Sequence, residues 1–208
     1  MHLLKKLIVT GIFALGIAGF SSQAYASCGK ITVAEMDWAS AEMFAHIDKV
    51  VLENGYGCEI ELVPGATMPT ATSMMEKGEP DVAPELWINA VRTALDAATA
   101  EGRLHYAAEV FSDTGEEGWW IPQYVADANP EIQTVSDALA RPDLFPHPEG
   151  DGGGLYTCPS GWNCQLSTGN LFRAFGGEEA GFRLIDPGSG GALAGSIAEA
   201  YEKEQGWF

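Results

Sequence analysis

The chain has 208 residues, of which 46% are hydrophobic and 19% charged, with a formal net charge of -18. A field of that sign repels nucleic acid and anionic lipid and tolerates cationic or zwitterionic ligands.

Residues 1–26 read as a secretory leader. "MHLLKK" is a short basic head, and "LIVTGIFALGIAGF" is an apolar run too short and Gly-rich for a membrane span. Ala24-Tyr25-Ala26 offers the cleavage site, and the residues before Cys28 lack the leucine of a lipobox. Removing Lys5 and Lys6 with the leader takes the charge to about -20 on a mature chain of about 180 residues. No second long apolar run follows.

The mature chain alternates in kind. "KITVAEMDW" predicts a strand ending at Trp38, then "SAEMFAHIDKVVLENGY" a helix with Ser40 as N-cap and Gly55 as stop. "CEIELVPG" is a strand, "MPTATSMMEKGEP" a helix, "DVAPELW" a third strand ending at Trp87, and "INAVRTALDAATAEGR" a helix. This order calls for βαβ units on a parallel sheet. A second set begins after the extended "GWWIPQYV": "TVSDALARPDLF" as a helix, a Gly- and Pro-rich turn, "LYTC" as a strand, "LSTGNLFRAFGG" as a helix, "FRLID" as a strand and "GGALAGSIAEAYEKEQG" as a helix. The expectation is an α/β protein of two lobes, 27–118 and 119–208, with Gly118 and Pro122 bracketing a hinge. The terminal "WF" reads as the start of another strand, so the second lobe is expected to be truncated at Phe208.

Four cysteines in an exported chain point to two disulfides, for which three pairings exist. Cys158 and Cys164 enclose five residues, a short loop closure, while Cys28 and Cys58 open two β-like segments and meet if those strands are parallel neighbours. No Cys-x-x-Cys pair exists and the four histidines are scattered, so no metal site and no cofactor are expected.

The tryptophans carry the functional reading. Trp38 and Trp87 fall at strand ends, where parallel α/β sheets bind ligands. Trp119 opens the second lobe, and Trp162 sits inside the Cys158–Cys164 loop. Indole faces around one crevice suit a quaternary ammonium, which donates no strong hydrogen bond and gains roughly 0.5–2 kcal/mol per ring. Trp119 and Trp120 are adjacent in an extended segment and so face opposite ways; Trp119 is assigned to the cleft and Trp120 to packing.

"YTCPSGWNCQ", with a tryptophan between two cysteines, resembles the disulfide loop of the periplasmic glycine betaine/proline betaine-binding proteins of ABC importers. "DVAPELW", "GWWIPQYV" and the order of elements are also similar, over essentially the whole mature chain. The resemblance implies a type II-like periplasmic binding protein fold with the ligand between the lobes. It implies a periplasmic monomer that serves a membrane permease and is not an enzyme. Its methylated cation would be boxed by Trp87 and Trp162, with Trp38 and Trp119 as further walls. Glycine betaine, proline betaine, trimethylamine N-oxide, choline and sulfonium analogues are all within the family's range. A further box aromatic of the family lies on a strand beyond the "AYEKEQGWF" region, where this sequence stops.

For the ligand's anionic end, the N–H of Asn163 in the stapled turn is the first donor and Arg92 a weaker one. Glu117, and with it Glu85, would complement the cation. Three rival readings remain: a secreted hydrolase, a sugar-binding module with a Trp-lined cleft, and an interaction module. The hydrolase is weak, because "DPGSGGALAG" lacks Gly-x-Ser-x-Gly and oxidised cysteines provide no thiolate.

Overall fold

The structure is a computed structural model that describes residues 28–113 and 117–208. The expected leader, residues 1–26, lies outside the described residues.

Two small parallel sheets organise the chain. β1 (Lys30–Met36) and β2 (Glu59–Gly65) pair in register from Lys30 with Glu59 to Met36 with Gly65. The 18-residue helix α1 (Ala39–Tyr56) is the crossover between them. Parallel neighbours bring the two strand starts together, and the Cys28–Cys58 disulfide joins them with a Cα–Cα separation of 4.8 Å. Closing a loop of 30 residues stabilises the fold by about 3–4 kcal/mol, chiefly by restricting the unfolded chain.

Val33, Ala34 and Met36 of β1 are fully buried, the first with Ala45, Cys58 and Ile60, the others with Ala41 and the partly buried Trp38 and Leu86. Each large apolar side chain so buried contributes about 1.5–3 kcal/mol. α1 starts at Ala39 with Trp38, rather than Ser40, at the N-cap, and it stops at Gly57, whose φ of 67° reverses the chain, two residues past Gly55. α2 (Thr67–Lys77) and α3 (Arg92–Ala100) follow.

The expected third strand, "DVAPELW", is reduced to one parallel bridge between Val33 and Val82. Proline lacks the N–H that a ladder needs, and Pro80 and Pro84 flank that single bridge. What holds the segment to β1 is Asp81, whose carboxylate accepts from the Thr32 N–H and the Thr32 hydroxyl, both at 2.7 Å. Those bonds, backbone first, favour the ionised form and hold the Asp81 carboxyl below its ordinary 3.8. A depressed folded pKa means stability that is complete above the unfolded value and lost as pH falls through the folded one. Asp81→Asn is therefore expected to lower the melting temperature near neutral pH and to lose less stability than the parent on titration below about pH 4. Parallel acid-melting curves would refute this.

The second sheet pairs β3 (Gly153–Tyr156) with β4 (Phe182–Ile185), again parallel. Its core comprises Phe145, Leu155, Phe172, Phe182 and Phe208, with Val125, Ile132, Ala138 and Leu139. Phe208 lies along β3, its carbonyl oxygen accepting the Tyr156 N–H at 2.6 Å. α6 (Asn163–Ala174) crosses between β3 and β4, and α7 (Gly190–Glu202) follows β4.

Two expectations change in this half. "TVSDALARPDLF" is not one helix: α5 (Val135–Leu139) ends before Pro142, which starts a 3-10 turn over Pro142–Leu144. Residues after "GWWIP" do not stay extended, because Pro122 caps the short helix α4 (Gln123–Ala128). The Tyr124 hydroxyl reaches the carbonyl oxygens of Ala200 at 2.9 Å and Gln205 at 2.6 Å, tying α4 to the end of α7.

Candidate functional site

The two sheets are bridged by the Cys158–Cys164 loop, whose disulfide spans a Cα–Cα distance of 5.6 Å. The Gly161 carbonyl oxygen accepts the Met68 N–H at 3.1 Å, at the start of α2. Trp162 reaches further: its indole N–H donates to Asp37 Oδ1 at 2.6 Å, and its ring meets Trp38 edge to face at 5.3 Å between centroids. Gly190, at the first turn of α7, presses against the same place, since a Cβ there would lie 2.5 Å from the Asp37 carbonyl oxygen and 3.0 Å from the Trp162 ring. Asp37 and Trp38 are the two residues between β1 and α1, so the C-terminal end of β1 aims both at the loop.

Beside this bridge lies a cavity of about 610 Å³. All six tryptophans of the chain line it: Trp38, Trp87, Trp119, Trp120, Trp162 and Trp207. Of the residues singled out in the sequence, Trp38, Trp87, Trp119, Trp162, Asn163 and Glu117 all fall on its wall, as does Glu85. Arg92 does not; it sits exposed at the start of α3, its guanidinium on Asn89 Oδ1 at 3.2 Å. The wall also holds Trp120, expected to pack into a lobe, and Trp207, which the chain end brings onto Tyr156 of β3.

Glu85 is the polar centre of the first-sheet side. It is 3% exposed, and its Oε1 accepts three donors: Trp38 Nε1 at 2.7 Å, Trp87 Nε1 at 2.9 Å and the Ser40 hydroxyl at 3.2 Å. Among the described residues Glu85 Oε2 is buried without a hydrogen-bond partner, as is the hydroxyl of Thr157 on the opposite, second-sheet wall. Ser40 thus serves this carboxylate instead of capping α1.

On the second-sheet side the anchors are neutral. Trp119 Nε1 lies 3.4 Å from the Thr168 hydroxyl, and Trp207 Nε1 donates to the Ser196 hydroxyl at 3.0 Å. Trp207 also stacks on Tyr156 at 5.1 Å. α6 begins on the wall at Asn163 and Cys164, whose first-turn N–H groups have no acceptor within the helix.

Only half of the expected division of labour between Trp119 and Trp120 changes: Trp119 lines the cavity, but Trp120 is not packed into a lobe. Trp119 is half-buried and packs on Phe175 at 6.0 Å and Phe208 at 5.7 Å, whereas Trp120 is 58% exposed. The turn into α4 at Pro122 directs the Trp119 ring onto the second core and leaves Trp120 at the mouth.

Among the described residues no cluster of His, Cys, Asp and Glu is arranged to hold a metal ion, and no helix is long and apolar enough to cross a membrane. Ser189, the serine of the glycine-rich loop, caps α7, its side chain accepting the Ala192 N–H at 3.1 Å.

A concave site walled by aromatic rings, with polar side chains between them and a disulfide-fixed loop across it, defines a protein that binds a small solute. The chain belongs to the OpuAC family, the substrate-binding domain of ABC-type glycine betaine transport systems, which it matches over residues 29–208. The family is a non-enzymatic transport component that works with an ABC permease outside the cytoplasmic membrane, and its fold is the two-lobed periplasmic binding fold. A search of curated proteins finds no match.

Proposed function

We propose that this protein captures glycine betaine or a related methylated-ammonium osmolyte (proline betaine, trimethylamine N-oxide, choline or a sulfonium analogue) in the periplasm and hands it to its permease. The observation that carries this reading is the convergence of every tryptophan in the chain on one cavity. Trp38, Trp87, Trp119 and Trp162 form the box, each ring worth roughly 0.5–2 kcal/mol to a methylated cation. The N–H groups of Asn163 and Cys164 take the ligand's anionic end, where the helix dipole of α6 adds to them. Glu117 lies at the mouth and favours entry of a cation. The leader of residues 1–26 exports the chain, and residues 27–118 and 119–208 are the lobes of a monomer that close about Gly118 to Pro122.

A sugar-binding module would use the same rings and needs amide and charged side chains around each hydroxyl, of which this wall offers Glu85, Asn89, Glu117 and Asn163. Calorimetric titration with glycine betaine, choline and trimethylamine N-oxide, beside a panel of neutral sugars, tests the reading. Saturable binding of a methylated ammonium with one site per chain is expected; binding confined to sugars would overturn it. Scattering in the same titration should show compaction.

A further inference from the structure

The six indoles of the cavity are not anchored alike. Trp38 and Trp87 both donate their N–H to one oxygen of Glu85, at 2.7 and 2.9 Å, and Trp162 donates to Asp37 at 2.6 Å. Trp119 and Trp207 have hydroxyl partners instead. Charge therefore stands behind three rings that lie together, Trp38 touching Trp162 edge to face and sharing Glu85 with Trp87.

A hydroxyl or amide oxygen would also accept an indole N–H. A buried carboxylate costs more, because its charge leaves water. Glu85 is 3% exposed with one oxygen unpaired. Neither Glu85 nor Asp37 takes part in any of the ion pairs among the described residues. These two acidic groups hold the N–H groups of indoles that line the cavity, and Glu85 lies on the wall itself.

We infer that Glu85 and Asp37 are the charged backing of the cation-binding end of this cavity. Acting through Trp38, Trp87 and Trp162, they set its preference for a positively charged ligand over a neutral one of the same shape. The inference rests on the methylated-ammonium reading and adds to it which three rings hold the cation and why. An indole that donates its N–H to an anion has a more negative face, so each ring attracts a cation more strongly. Glu85, buried on the wall, adds direct attraction that water screens little. The bound cation in turn supplies a counter-charge. Glu85 and Asp37 are positioning residues in this scheme; the rings make the contact.

The test compares choline with 3,3-dimethyl-1-butanol, its neutral isostere with carbon in place of the ammonium nitrogen, by calorimetry and by competition. Glu85→Gln keeps an amide oxygen for the two indole N–H groups and removes only the charge. It is expected to lower choline affinity by about tenfold or more and to leave the isostere within about twofold. Asp37→Asn should act in the same direction through Trp162 alone. Equal loss on both ligands would make the carboxylates mere supports and overturn the inference, as would unchanged choline binding. If melting shows Glu85→Gln unfolded, Asp37→Asn decides by the same ratio. Parent protein that binds no methylated ammonium overturns the functional reading itself, whereas parent that binds choline no better than the isostere overturns only the charged backing.

Discussion

Trp162→Ala is expected to weaken betaine binding by about 2–3 kcal/mol, roughly 30- to 150-fold, while the chain stays folded. One ring of the box accounts for up to about 2 kcal/mol when desolvated. The rest comes from the neighbours that lose their support: the Trp38 ring, which meets Trp162 at 5.3 Å, and Asp37, whose Oδ1 holds the Trp162 N–H at 2.6 Å. Stability should change little, because Trp162 is only half-buried, outside the clusters of fully buried side chains, and the Cys158–Cys164 disulfide fixes the loop without it. Trp162→Phe keeps a ring but loses the N–H and should fall between parent and Ala variant. Gly190→Ala approaches the same site from α7, where a Cβ would meet the Asp37 carbonyl oxygen at 2.5 Å, and should weaken binding by moving α7 off the bridge. Calorimetry with glycine betaine and a thermal melt of each variant give both numbers. Parent-like affinity in Trp162→Ala would remove the stapled loop from the site.

The parts of this site legible in the sequence are those fixed by short-range chemistry. Two cysteines around a tryptophan within one loop, and two β-like segments each opened by a cysteine, required no knowledge of the packing, and the disulfides pair as that spacing predicts. The βαβ order likewise follows from alternation and helix stops, and it sends Trp38 to the end of β1. What could not be read depends on contacts between residues far apart in the chain. Nothing local announces that Glu85 collects the indole N–H of a residue 47 positions earlier. Nothing local shows that Trp207 returns to stack on Tyr156. The misplaced third strand has a different cause: Val82 and Leu86 have the right hydrophobicity, but two flanking prolines remove ladder donors, so side-chain bonds from Asp81 replace the sheet. Pro122, expected in an extended run, instead caps a helix, and beside it Trp119 both lines the cavity and packs on the second core while Trp120 stays exposed.

The packing of Trp119 on the second core yields the second large effect. Trp119→Ala is expected to lower unfolding free energy by about 2–4 kcal/mol, somewhat under the figure for a fully buried Trp because this one is half-buried. Its ring bridges Phe175 on one side and Phe208 on the other, and Phe208 is itself 4% exposed within the second core. Emptying the position would open a hole beside Phe208, Phe145 and Phe182, which pack on one another at 5.2 to 6.3 Å. Trp120→Ala, at 58% exposure, should cost no more than about 0.5 kcal/mol of stability. Its ring stands at the cavity mouth, so its loss should show instead as weaker betaine binding, by about 0.5–1 kcal/mol, the value of a solvent-exposed cation–π contact. Denaturant unfolding separates the two variants on stability and calorimetric titration on affinity. A Trp120→Ala protein destabilised as much as Trp119→Ala would show that Trp120 closes onto a lobe in solution. A Trp119→Ala protein of parental stability would show that the Phe208 core does not lean on this ring, leaving Trp119 a wall of the box alone.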